Sequence, residues 1–155
     1  MTRVLVPLAD GFEEMEGMII VDVLRRAGVE VTTASLKEGP VTASRKTRHL
    51  ADATLEAVMN QDFDMIVLPG GGPGAKALEA DARIKMLLGR MKSSGKKIAA
   101  ICAAPNVLRA HGVIAGADQF TMYPGMETEA AGGQYVTDRV VRSGSVTTSK
   151  GPGSA

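Results

Sequence analysis

The sequence predicts an α/β protein built on a mostly parallel sheet with helices on both faces. Three observations carry this. The segments Arg3–Leu8, Asp64–Pro69 and Lys97–Ile101 are near-continuous apolar runs, the mark of strands covered on both sides. The first run is followed by a helical pattern and then by a second strand, a βαβ opening that implies parallel pairing. Helical and strand patterns keep alternating as far as the middle of the chain.

The elements follow in order. After the strand at Arg3–Leu8, residues Ala9–Phe12 form a loop, and a helix is expected from about Glu13 to Ala27, stopped by Gly28. Val29–Leu36 is the second strand. The polar stretch Lys37–Asp52 has room for a short hairpin around Val41–Ser44 and Thr47–Leu50, and Thr54–Met59 is a weak helical segment. The strand Asp64–Pro69 runs into GGGPGA, after which one helix is expected over Ala75–Ser94. The strand Lys97–Ile101 leads into a helix expected from Ala103 to about His111. Short strands are expected at Gln119–Tyr123, Tyr135–Thr137, Val140–Ser143 and Val146–Thr148.

Composition narrows the possibilities. The 155 residues suit one domain with a real core, filled by branched aliphatics, Ala and Met because aromatics are 3% and Trp is absent. Eighteen basic and seventeen acidic residues leave a net charge of +1, which supplies no electrostatic case for nucleic acid or an anionic membrane. One cysteine excludes an intrachain disulfide framework and a Cys-rich metal site. The N-terminus turns acidic too early for a signal peptide, and no apolar run is long enough to span a bilayer. A protein of a reducing, cytoplasmic compartment is expected.

Cys102 stands between a buried strand and a helix. Such an elbow holds the residue in a tight conformation and presents its side chain over the sheet, where helix-terminal N–H groups favour a thiolate. The competing reading is a small core residue. Three strand ends converge in this scheme: one delivers Glu13, Glu14 and Glu16, one delivers Gly70–Gly72, and one delivers Cys102. Glu16 shares a helical stripe with Phe12, Ile19, Ile20 and Val23, so burial should raise its pKa and leave it a proton to donate; otherwise it is a solvated helix acid. Glu13 and Glu14 look like first-turn acids. The glycines either form a tight turn or aim amides at an anion, completing an oxyanion hole with the Ala103 amide. Their spacing does not fit a dinucleotide fingerprint. His111 lies nine residues beyond Cys102 and faces away, and His49 lies in the polar segment, so neither supplies a cysteine-protease base or a zinc site. The first helix carries surplus apolar residues at Met15 and Met18, which suggests a homodimer.

The segments VLVPLADGFEEMEGMIIVDVLRRAGVEVTTASL, DMIVLPGGGPGAKAL, IAAICAAPNVL and VVRSGSVTTSKGPG together resemble the ThiJ/PfpI superfamily, and within it the DJ-one branch of deglycase-type proteins. The likeness runs along essentially the whole chain. It implies a flavodoxin-like, doubly wound sheet and a dimer. It casts Cys102 as the reactive thiolate, Glu16 as the protonated acid against it, Gly71 and Ala103 as backbone amides, and Arg45 and Arg26 as anion-binding arginines at a dimer interface.

It also implies cofactor-independent glyoxalase or deglycase activity on methylglyoxal or its early adducts, with a role in carbonyl or oxidative stress. The alternative is a redox-sensing cysteine protein with holdase activity. A PfpI-like peptidase is disfavoured, because Ala103 stands where those members carry a histidine. Two departures from the family matter. Tyr123 replaces a histidine found near the cysteine in human-type members, and the chain stops at Ala155, where the family continues into a helix over the sheet. That helix is therefore expected to be lacking.

Overall fold

The computed structural model describes all 155 residues. Its strands are β1 (Arg3–Leu8), β2 (Glu30–Ser35), β3 (Val41–Thr42), β4 (Arg48–His49), β5 (Ala53–Thr54), β6 (Met65–Leu68), β7 (Lys97–Ile101), β8 (Gln119–Phe120), β9 (Gln134–Tyr135), β10 (Val140–Ser143) and β11 (Val146–Ser149). The helices are α1 (Glu14–Arg26), α2 (Leu55–Val58), α3 (Gly72–Ala80), α4 (Ala82–Ser93) and α5 (Pro105–Ala110). Seven strands form the main sheet in the order β10-β11-β7-β6-β1-β2-β5. Only the β10–β11 pair is antiparallel; every other pairing in this sheet is parallel. No helix is long and apolar enough to cross a membrane.

The near-continuous apolar strands are explained by two cores. Side chains of a strand alternate between faces. Leu5, Ile66, Leu68, Ile98 and Ala100 point into the larger core, which contains residues of α2, α3, α4 and α5. Val4, Val6, Leu8 and Val67 point the other way, into a smaller core beneath α1. Each strand is thus apolar at both parities because helices lie on both sides.

Several boundaries differ from the sequence-based expectation, each for a local reason. The single helix over Ala75–Ser94 is two helices. Asp81 breaks it by adopting an extended conformation and capping α4, its carboxylate accepting from the Arg83 amide at 2.9 Å and the Ile84 amide at 3.4 Å. The helix expected from Ala103 begins only at Pro105, whose fixed φ suits the first helical position. The strand expected at Gln119–Tyr123 pairs only over Gln119–Phe120. β5 was absent from the expected elements; its two residues align beside Ala34 and Ser35.

On α1, Met15 and Val23 are each 56% exposed, and Met18, Ile19 and Ile20 are half-buried. This helix has more apolar surface than the sheet covers.

Candidate active site

β7, β6 and β1 are adjacent in the sheet, so their C-terminal ends bring Cys102, the glycine run and α1 together. This is where ligands meet open α/β sheets. Cys102 occupies the left-handed region at φ 62°, one of two non-glycine residues to do so. Conformations of this kind cost about 1–2 kcal/mol and persist only where neighbours enforce them. Here the Cys102 amide donates to the Ser149 carbonyl and its carbonyl accepts from the Tyr123 amide, both at 3.0 Å.

Glu16 is wholly buried, and Cys102 is 9% exposed. Glu16 Oε1 accepts from the Gly70 amide at 3.0 Å. Its buried Oε2 has no aligned hydrogen-bond partner, although the thiol and carboxyl lie close enough to alter one another's protonation. On the apolar stripe expected around Glu16, Phe12 is buried, Ile19 and Ile20 are half-buried and Val23 is exposed. Gly70 and Cys102 lie against the carboxyl on the sheet side.

Burial raises the Glu16 pKa to about 7; the nearby charge of Glu13 adds to this, while the contacts with Cys102 and the Gly70 amide oppose it. Burial likewise pushes the Cys102 thiol up, to about 12, reinforced by the charge and hydrogen bonding of Glu16. The Gly71 and Ala103 amides act in the opposite direction. The expected thiolate at a helix N-terminus therefore needs correction. α5 begins three residues after Cys102, and the two amides beside the sulfur are outweighed while Glu16 is charged. The two sites lose their protons as one unit. Between the two steps they hold a single proton, on sulfur or on oxygen.

The three consecutive glycines have distinct roles. A Cβ at Gly70 would collide with Glu16 Oε1, stand 2.6 Å from Cys102 Cβ and 2.9 Å from the Ile101 carbonyl oxygen. Gly71 adopts φ 92° and faces the backbone of Gly11 and Glu13. Gly72 meets nothing within 4 Å. Gly70 also accepts from the Glu13 amide at 2.9 Å, which locks the glycine run to the start of α1.

The other acids differ from the sequence-based expectation. Glu13 is the cap of α1, its carboxylate accepting from the Glu16 amide at 2.8 Å. Glu14 crosses to the β3–β4 turn, where it accepts from the Ser44 hydroxyl at 2.7 Å, the Thr47 hydroxyl at 2.7 Å and the Arg45 amide at 3.0 Å. Burial alone would raise its pKa; these donors, led by Thr47 and Ser44, hold it at about 2.

Arg45 is therefore fixed near the start of α1 by its backbone, with an exposed side chain. Arg26 is not brought to the site. It lies ten residues along α1 from Glu16, about 15 Å, and pairs with Asp22 at 2.8 Å. His111 contacts the Glu79 carbonyl and His49 stacks edge-on against Phe12, so neither approaches the sulfur. Tyr123 is half exposed above the site. No three His, Cys, Asp or Glu side chains converge as metal ligands would.

The close approach at Gly70, the Glu14 clamp and the side-chain cap formed by Glu13 were not singled out from the sequence. The glycine run carried a usable signal, because a glycine at the end of a buried strand also permits close approach. Nothing in the spacing connects Glu14 to residues thirty positions away.

A cysteine at a strained strand end, a buried carboxyl against it and two loop amides define an α/β protein with a cysteine elbow at the C-terminal edge of its sheet. The chain belongs to the DJ-1/PfpI family, whose model matches residues 2–155. It is 47% identical to Protein dj-1beta of Drosophila melanogaster, over 97% of this chain and 82% of that protein. It is 40% identical to the Caenorhabditis elegans protein named glutathione-independent glyoxalase DJR-1.2, over 98% of this chain and 81% of that one. The crystal structure of the Drosophila DJ-1beta superposes with a TM-score of 0.94 at 45% identity, covering 99% of this chain and 83% of that one.

Proposed function

We propose that this protein is a cofactor-independent glyoxalase or deglycase acting on small 2-oxoaldehydes or their early adducts. The observation that supports it best is the juxtaposition of Cys102, at φ 62°, with the wholly buried Glu16 and the Gly71 and Ala103 amides. The name of the nematode relative supports the same activity.

With methylglyoxal, the thiolate–carboxylic acid form of the pair attacks the aldehyde carbon. The C–S bond forms, the carbonyl π pair moves to oxygen, and the Gly71 and Ala103 amides hold the developing negative charge. That oxygen takes the Glu16 proton, giving a hemithioacetal. The Glu16 carboxylate then removes the proton on the former aldehyde carbon and returns it to the neighbouring carbon through an enediol. The product is a lactoyl thioester, and water cleaves it to lactate and the free thiol. The net change is methylglyoxal plus water to lactate and a proton. The same attack on an early adduct would release the amine instead.

The test is lactate formation by the intact protein. Cys102→Ala should abolish it, and Glu16→Gln should lower it by about 10²–10⁴. Undiminished turnover by Cys102→Ala would end this reading.

A second reading is a redox sensor with holdase activity. It is favoured by the buried Glu16 carboxyl beside Cys102, which in its protonated form would donate a hydrogen bond to a cysteine sulfinate. Two equivalents of peroxide would convert the thiol to sulfinate and release two waters. Intact mass after mild peroxide should then show two added oxygens and no third.

The exposed apolar strip of α1 suits a homodimer interface, with the Arg45 side chain free to contribute to anion binding there. A thiol kept for chemistry suits a reducing compartment such as the cytoplasm.

A further inference from the structure

An open cleft of about 420 Å³ lies between Tyr123 and the Lys150–Ser154 segment. Its charged lining residues are Arg139 and Lys150, and no carboxylate lines it. Neither cation is held in an ion pair. The cleft is therefore a net positive recess with an aromatic wall.

Its floor comes close to Glu16 at Gly151. The backbone there is extended at φ 175°, which any residue can adopt. A Cβ at Gly151 would stand 3.6 Å from Tyr123 Cδ2 and 4.0 Å from Glu16 Oε2. Gly151 is itself buried, and the absent side chain leaves room for no more than a methyl group between the ring and the acid. Oε2, on a wholly buried residue, makes no aligned hydrogen bond, with the Cys102 thiol close to the carboxyl. This buried oxygen lies just behind the floor of the cleft at Gly151, the lining residue nearest to the Cys102 centre. The Tyr123 amide also holds the Cys102 carbonyl, so the cleft wall and the nucleophile are mechanically joined.

We propose that this cleft is the tail subsite of the Cys102 centre: Gly151 is its aperture, and Arg139 and Lys150 select 2-oxoaldehydes that carry a carboxylate tail. This rests on the reading of Cys102 as the nucleophile and names the substrate class. The tail takes no part in the chemistry. A suitable probe is 4,5-dioxopentanoate, which is methylglyoxal lengthened by a CH2–COO⁻ group. With water it yields 2-hydroxyglutarate by the same proton movement between adjacent carbons. Arg139 also donates to the Gly153 carbonyl, so it positions the loop as well as supplying charge. Lys150 makes no side-chain hydrogen bond to the protein and is the cleaner site to alter.

The experiment compares kcat/KM for 4,5-dioxopentanoate and methylglyoxal with the full chain at low salt. Two partly exposed cations facing one carboxylate should give a preference of about tenfold. That preference should fall toward one in Lys150→Gln and at high salt. Gly151→Ala, whose methyl fits without a clash, should slow both substrates while leaving the melting temperature in place.

A second readout does not need turnover. Glutarate should slow alkylation of Cys102 by iodoacetamide in the unaltered protein, and much less in Lys150→Gln. Protection by glutarate without turnover of either oxoaldehyde would uphold the subsite and remove the enzymatic reading. Equal kcat/KM for the two substrates together with no protection would overturn the subsite. A preference that survives in Lys150→Gln would overturn the role given to that cation. Stronger protection by inorganic phosphate than by glutarate would overturn the choice of a carboxylate.

Discussion

Substituting alanine at Gly70 and, separately, at Gly72 tests the packing of the site with two changes only two residues apart. The new methyl at Gly70 meets the Glu16 carboxyl, Cys102 Cβ and the Ile101 carbonyl, all inside van der Waals distance. The Glu16 carboxyl is a side-chain end and can shift, but Cys102 Cβ and the Ile101 carbonyl are fixed by the backbone, so the methyl displaces the site. Overpacking of this kind costs about 1–3 kcal/mol. Displacing Glu16 also weakens the 3.0 Å bond from the Gly70 amide, worth about 1–2 kcal/mol to a buried acceptor. A total of about 3 kcal/mol corresponds to a fall in Tm of about 6–12 °C for a chain of this size. The Gly72 methyl enters open space at the first residue of α3. Reducing unfolded-chain entropy there should leave stability unchanged or raise it by up to about 1 kcal/mol. Scanning calorimetry measures both, and the alkylation rate of Cys102 reports the local displacement. Equal melting temperatures for the two variants, with an unaltered alkylation rate at Gly70→Ala, would refute the close approach of Gly70, Glu16 and Cys102.

Other expectations follow from the same geometry. Glu16 is raised to about 7 from an ordinary value near 4.5, so the folded state holds a proton that the unfolded chain releases. Stability should fall as pH rises from about 4.5 to 7, by roughly 3 kcal/mol, and Glu16→Gln should remove this slope in urea titrations. Glu14 works in the opposite sense: held at about 2, it stabilises above its unfolded value and that contribution is lost as pH falls below about 4.5. Glu14→Gln should flatten the acid limb and loosen the Ser44–Thr47 turn, visible as faster amide exchange at Arg45. Arg109 donates to the carbonyls of Glu127, Ala130 and Gly132 and lies over the Phe120 ring. Arg109→Met should cost roughly 2 kcal/mol and raise amide exchange across residues 126–133. Met15→Asp or Val23→Asp should shift the protein toward monomer in light scattering; an unchanged mass would remove α1 as the interface.

The fold was readable because its signals are local. The apolar runs of β1, β6 and β7 reflect two cores directly, and chain order alone places their ends together. Element ends were harder, because they depend on single residues. Asp81 and Pro105 could each have been read as helix starts, and both were overridden by the periodicity of the segments they interrupt. The site divides in the same way. Cys102, Glu16, Gly71 and Ala103 meet as their strand ends suggested. The raised pKa of Glu16 followed from its stripe, whereas the raised pKa of Cys102 depends on how deeply the thiol itself is buried beside that acid, and sequence periodicity carries no measure of that depth. The partners of Glu14 and the fate of Arg26 are long-range facts, settled by the crossing of the β3–β4 turn over α1 and by the length of α1 itself.

The central claim is that Cys102 and Glu16 share a single proton near neutral pH. Its most direct test is the rate of Cys102 alkylation by iodoacetamide across the pH range, in the unaltered protein and in Glu16→Gln. The account predicts a rise with a midpoint near 7 and a plateau above it in the unaltered protein, and loss of that step in Glu16→Gln. A single rise with the midpoint of a free thiol, about 8.5, identical in both proteins, would contradict it.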